Sequence, residues 1–244
     1  TKNKKSLYLE ILINEENFPI RYLDRLIDDL NNIWPYDPSF ASAIYLAVFS
    51  HYETSEEKTN MGTPVLRLSS TRRQDYHMCQ YQLVQHYPHF LRANPQKATE
   101  TVVVCLNMFI IAQHIIGYLK EGVKLEDMIE KFVFRGREAN YLPDSSYIWD
   151  ESEYNEEPIQ MADELFKFIA ELTSSEEKNS ILDSLLDIFS SGVLVAFFWR
   201  RLLVTAASSP AIFAPRLFEF CIARPILVGD ETLREIGLFL EASA

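Results

Sequence analysis

"TVVVCLNMFIIAQHIIGYL", Thr101 to Leu119, is the longest apolar run of the chain, and its reading decides the fold. It is close to membrane-spanning length. Asn107, Gln113 and His114 lie near its middle. In lipid those side chains would lack hydrogen-bond partners, whereas a protein core can supply them. The segment is therefore expected to be a buried central helix, opened by Asn94-Pro95 and running through Leu119. Because it is apolar on all sides, burial is expected nearly everywhere from Thr99 to Leu119.

The segments around it also read as helices. Proline at a first helical position removes an N–H that has no helical partner. Pro19 opens a segment with Leu23, Leu26, Ile27, Leu30 and Ile33 on one face. Asp37-Pro38 opens the next segment, and Pro158 opens "IQMADELFKFIAEL". Thr71 with Gln74, and Ser174 with Glu177, have the spacing of capping boxes. Gly192 precedes "VLVAFFWRRLLVTAA", and Asp230 is placed to cap the last helix.

One region breaks the helical period. Between Glu130 and Pro158, Phe132 and Phe134, and later Tyr147 and Trp149, suggest short extended segments or a small hairpin. The expected organisation is an N-terminal helical block over 1–125, an aromatic and acidic insertion over 126–157, and a C-terminal helical block over 158–244. Pro19-Ile20, Asp24 and Leu26 are echoed by Pro158-Ile159, Asp163 and Leu165. The expected fold is mainly α: a helical-repeat or multi-helix array with a short irregular or β insertion around 130–157.

Composition narrows the function classes. Hydrophobic residues make up 48% and charged residues 24%, so the 244-residue chain should fold. Only 7 glycines disfavour hairpin-rich folds and phosphate-cradling loops. A net charge of −12 repels phosphate backbones and anionic membranes, so neither nucleic acid nor membrane is an expected partner. From Asp144 to Glu164 the chain carries many acids and no Lys or Arg. Cys79, Cys105 and Cys221 are far apart, which suits a reducing cytoplasm better than a disulfide framework. The chain starts with Thr rather than Met, and is expected to be either a fragment of something larger or a processed product.

Phosphate-loop, dinucleotide, GxSxG and HExxH motifs are missing from the sequence. No cofactor and no metal are expected in this segment. His77 and Cys79 point to different helix faces, and Pro88 is expected to interrupt the helix between His86 and His89. Asp24, Asp28 and Asp29 lie three or four residues from Arg21 and Arg25, as on a solvated, charge-laced face. Arg72 and Arg73 follow the Thr71 cap, at the positive end of a helix dipole. That position calls for an anionic partner, either the acids of 144–157 or an outside protein. Tyr147, Trp149 and Tyr154 stand among acids and are the further binding candidates, since exposed aromatics anchor interfaces.

Arg72 and His77 form an R-x4-H pattern that resembles the motif of HEPN ribonucleases, with both residues as the catalytic pair. That is the alternative, enzymatic reading; in it Arg73 stands where the family usually has Asn, Asp or His. The stretches "GTPVLRLSSTRRQDYHMCQYQLVQHYPHFLRANPQKA" (62–98) and "FRGREANYLPDSSYIWD" (134–150) resemble another group. They look like the helical region of large bacterial STAND-type NTPases of antiviral defence, the Avs group. Such proteins join an effector, a P-loop NTPase and a helical sensor that recognises a phage protein. The resemblance implies a non-enzymatic protein-recognition or scaffold segment, with ATP bound elsewhere in a parent chain. The expected partner is then a protein, or neighbouring domains of that chain.

Overall fold

The structure, a computed structural model, describes residues 20–49, 71–119, 122–150 and 157–244. The fold is mainly α, and the described residues include one two-stranded antiparallel sheet. The contacts divide the chain into two compact units, Thr1–Asn94 and Pro95–Ala244. The division falls between Asn94 and Pro95, and the described residues 126–150 fall within the second unit.

The first unit holds α1 (Ile20–Asp28), α2 (Leu30–Ile33), α3 (Pro38–Phe49) and α4 (Thr71–Ala93). Asp37 caps α3 as its sequence suggests, accepting from Phe40 N at 3.0 Å. α4 packs on α1, α2 and α3 through Leu83, Tyr87, Phe90 and Leu91, all buried. Phe90 stacks between Trp34 and Tyr45, with ring centroids 5.8 and 5.7 Å away. The buried Tyr45 hydroxyl donates to Leu83 O at 2.9 Å, so that polar tip has a partner. Pro88 lies inside α4, which runs on to Ala93. The expected interruption between His86 and His89 does not occur: proline removes one helical hydrogen bond, and the aromatic packing on either side carries the helix past it.

The second unit is built around α5 (Pro95–Ile110). A π turn (Ile111–Ile115) and a 3-10 turn (Ile116–Tyr118) follow it. The hairpin β1 (Glu130–Phe134) and β2 (Arg137–Tyr141) comes next, then the short α6 (Ser146–Trp149). The chain closes with α7 (Glu157–Leu172), α8 (Asn179–Gly192), α9 (Ala196–Ala207), α10 (Pro210–Cys221), α11 (Arg224–Val228) and α12 (Leu233–Ser243). The hairpin turns through Arg135 and Gly136, both at positive φ, as a tight two-residue loop requires. Arg135 then reaches Asp187 on α8 at 2.6 Å. Phe132 and Phe134 alternate inward onto Trp199 and Phe220. The inner face of the hairpin is thus part of the core.

Asn107 explains the polar groups of the opening stretch. Its Nδ2 donates to Gly192 O at 2.8 Å, and its Oδ1 accepts from Leu194 N at 3.1 Å. This side chain holds the segment from which Leu142 bridges to Val195 in parallel register. By length and composition Pro95–Tyr118 could cross a membrane, but half of its most apolar window is buried in the protein. The expected near-complete burial is corrected: Val104 (41%), Met108 (38%) and Ile116 (56%) are exposed, because only one side of the helix meets α7 and α8.

Two expected caps also give way to other local hydrogen bonds. Ser174 Oγ donates to Glu171 O, closing α7, and α8 begins only at Asn179 after a 3-10 turn. Asp230 is exposed and α12 begins at Leu233, with Thr232 Oγ1 donating to Ile226 O. Of the echoed leucines, Leu26 is half-buried and Leu165 fully buried.

Asn107→Leu should lower stability by about 1–3 kcal/mol, because backbone groups lose a buried partner. The urea midpoint should fall with an unchanged slope. Gly229→Ala should cost a comparable, roughly 1–3 kcal/mol. A Cβ there would collide with the Tyr141 hydroxyl and lie 2.7 Å from Pro225 O.

Candidate protein-recognition surface

α6 is one turn long, too short to hold itself. Its position depends on two carboxylates. Asp144 accepts from Ser146 N at 2.9 Å through Oδ1 and from Phe197 N at 2.7 Å through Oδ2. One side chain thereby caps the starts of both α6 and α9. Ser145, at φ 57°, turns the chain so that Asp144 N and Ser145 N face the same way. Both donate to Glu231 Oε1, at 3.1 and 3.0 Å. Glu231 Oε2 accepts from the Tyr141 hydroxyl at 2.8 Å.

Both carboxylates are buried. Burial pushes the Asp144 carboxyl up to about 7; the N–H groups of Ser146 and Phe197 pull it back, and Glu231 pushes it further up. Burial, with Glu231 beside it, holds the Tyr141 phenol well above its ordinary range.

The other end of α6 is tied by charge. Asp150 accepts from Arg200 Nη1 at 2.5 Å, from Arg201 Nε at 2.7 Å and from Arg201 Nη2. Arg201 also meets Asp163 at 2.9 Å, and Arg200 meets Glu235 at 3.2 Å. Between these anchors Trp149 donates its Nε1–H to Asp144 O at 2.8 Å. Its ring stacks on His114 at 4.1 Å and on Phe197 at 5.5 Å. The Arg201 guanidinium lies 5.4 Å from the Phe197 centroid, which adds a cation–π contact. His114 belongs to the π turn, a form common at functional sites. Burial lowers its pKa, which favours the neutral imidazole.

The result is a rigid ledge. Tyr147 (43%) and Ile148 (66%) face outward from α6 beside the fixed Trp149.

Placed on this framework, the sequence candidates separate. Tyr147 and Trp149 come together on α6; Tyr147 is exposed, whereas Trp149 is half-buried inside the aromatic stack and is not the free aromatic its acidic neighbours suggested. Tyr154 lies outside the described residues. Arg72 and Arg73 occupy the first turn of α4, as expected, but their side chains also lie outside the description. His77 is exposed further along α4. Asp144 and Asp150, two of the acids that the sequence offered to Arg72 and Arg73, are engaged by backbone N–H groups and by Arg200 and Arg201. Among the described residues no group of three His, Cys, Asp or Glu side chains is placed to hold a metal ion.

Asp144, Glu231, His114, Arg200 and Arg201 were not legible as a set. The one available signal was the pair Arg200-Arg201 inside the apolar "AFFWRRLLV", where two charges demand buried partners.

Compared with protein-family models, curated proteins and solved structures, the chain matches none.

The Asp144 geometry makes stability depend on pH. With its carboxyl raised from 3.8 to about 7, the folded state keeps a proton that the unfolded state releases. Below the unfolded pKa both states are protonated and the group is neutral to folding. As pH rises toward about 7, its contribution turns unfavourable, and above that it levels off. Asp144→Asn should be less stable overall, having lost one acceptor, but should show a flatter pH dependence. Urea unfolding of both proteins across that range reads the difference.

Proposed function

We propose that this chain is a non-enzymatic helical protein-recognition or scaffold segment of a larger ATP-dependent antiviral defence protein. The observation that carries the reading is the ledge of α6. Tyr147 and Ile148 are exposed on a single turn whose two ends are anchored by Asp144 and by Asp150. A pre-positioned aromatic and aliphatic pair loses little side-chain freedom on binding, which is what an interface anchor requires. The buried acids and arginines support the same reading, since their contacts fasten helices to one another. The likeness of 62–98 and 134–150 to STAND-type NTPases supplies the wider setting, with ATP handled elsewhere in the parent chain.

The test is made in the full-length parent protein. Tyr147→Ala with Ile148→Asp should leave folding and basal ATP hydrolysis unchanged, because both side chains are exposed. Activation by the cognate phage protein should fall by about tenfold or more, the scale of a hot-spot loss. Full activation of the double variant would refute the proposal. So would RNA cleavage by this chain that disappears in His77→Ala, which would establish the HEPN-like alternative.

A further inference from the structure

α10 is apolar on two opposite sides. Phe213, Leu217 and Phe220 are buried in the core. Ala211, Pro215, Phe218 (69%) and Ile222 (64%) are exposed. These four follow one another at intervals of four, three and four, the spacing with which one helix meets another along a seam. A surface helix ordinarily carries charge on its outer face, and a helix that is apolar all round is ordinarily covered. α10 has two charged residues, Arg216 and Glu219, and both are held within the unit. Arg216 Nε donates to Asp183 at 3.1 Å, and Glu219 accepts from Gly136 N of the hairpin turn at 3.4 Å. The outward seam is therefore without charge, in a chain of net charge −12. Leu227 (39%) and Val228 (55%) of α11, which packs on α10, add to the exposed apolar surface.

Charge and area select the occupant. A phosphate backbone or an anionic bilayer would find no cation on the seam. Two copies of an acidic chain repel each other wherever acid opposes acid, and a contact between identical patches has to avoid that. An uncharged seam avoids it. The seam and the two α11 side chains present roughly 500 Å² of apolar surface, taking about 200 Å² for a whole large side chain. Two copies would then cover about 1,000 Å², the lower bound for a specific interface. We propose that the outward seam of α10 packs against the same seam of a second copy, forming a two-fold dimer of this chain. An area at that bound gives a reversible, concentration-dependent dimer, not an obligate one. The inference is independent of the α6 ledge, which stands on other side chains.

Sedimentation velocity of the full 244-residue chain, from about 1 to about 200 μM, reads the association directly. A monomer should give way to a dimer as concentration rises. Raising salt from about 50 to about 500 mM should tighten the dimer, because it screens the repulsion between two acidic chains. Phe218→Asp and Phe218→Lys, each with an unchanged circular-dichroism spectrum, should weaken association about tenfold or more. An equimolar mixture of these two variants should dimerise again, since opposite charges then face each other across the two-fold axis. Tyr147→Ala with Ile148→Asp serves as the control and should dimerise as the unaltered chain does, which separates this surface from the α6 ledge. The inference is overturned if the chain stays monomeric throughout, if salt loosens the dimer, if the folded Phe218 variants associate as the unaltered chain does, or if their mixture remains monomeric.

Discussion

The Asp144 carboxylate is the contact on which most of the second unit depends. Its two oxygens reach backbone N–H groups of residues 146 and 197, so it closes the starts of two helices far apart in sequence. A buried carboxylate is costly unless such donors surround it. Here the donors are also the positive ends of helices, which favour a negative charge. Glu231 adds a second carboxylate beside the first and binds the two N–H groups that precede α6. The pair binds the exit of the hairpin, the start of α9 and the entry to α12 into one polar joint. Gly229 fits the same joint, because the Tyr141 hydroxyl occupies the space a side chain would need.

The arginine cluster does a different job from the same end of α9. Asp150, Arg200, Arg201, Asp163 and Glu235 join α6, α7, α9 and α12 through charge-assisted bonds. Buried ion pairs return little net stability after desolvation, but breaking one leaves a charge stranded. Their effect is to select one arrangement of four helices. α6 lies between the two systems, which is why a single turn of helix can present Tyr147 and Ile148 in a fixed direction.

The α6 ledge is small, aromatic and braced by polar joints on either side. In the first unit α4 is held by aromatic packing, with Trp34, Tyr45 and Phe90 stacked on its inner side.

The sequence by itself determined the class of fold. Apolar periodicity, the prolines in the first turns of α3, α5 and α7, and the scarcity of glycine all specify local structure, and local rules suffice to read them. It also pointed to extended structure at Phe132 and Phe134, but it grouped Tyr147 and Trp149 with them, and those two form the helical turn of α6. The tertiary structure alone decided the rest. The caps of α6 and α9 come from Asp144, and for α9 that residue is 53 positions away, where no local motif can reveal it. Trp149 reads as an exposed aromatic among acids until His114 and Phe197 are brought against its two faces. The apolar run from Thr101 is uniform in sequence, yet packing buries one side, leaves Val104 and Met108 exposed, and gives Asn107 its backbone partners. Periodicity reports which residues share a face; only the assembled fold determines which neighbours that face meets.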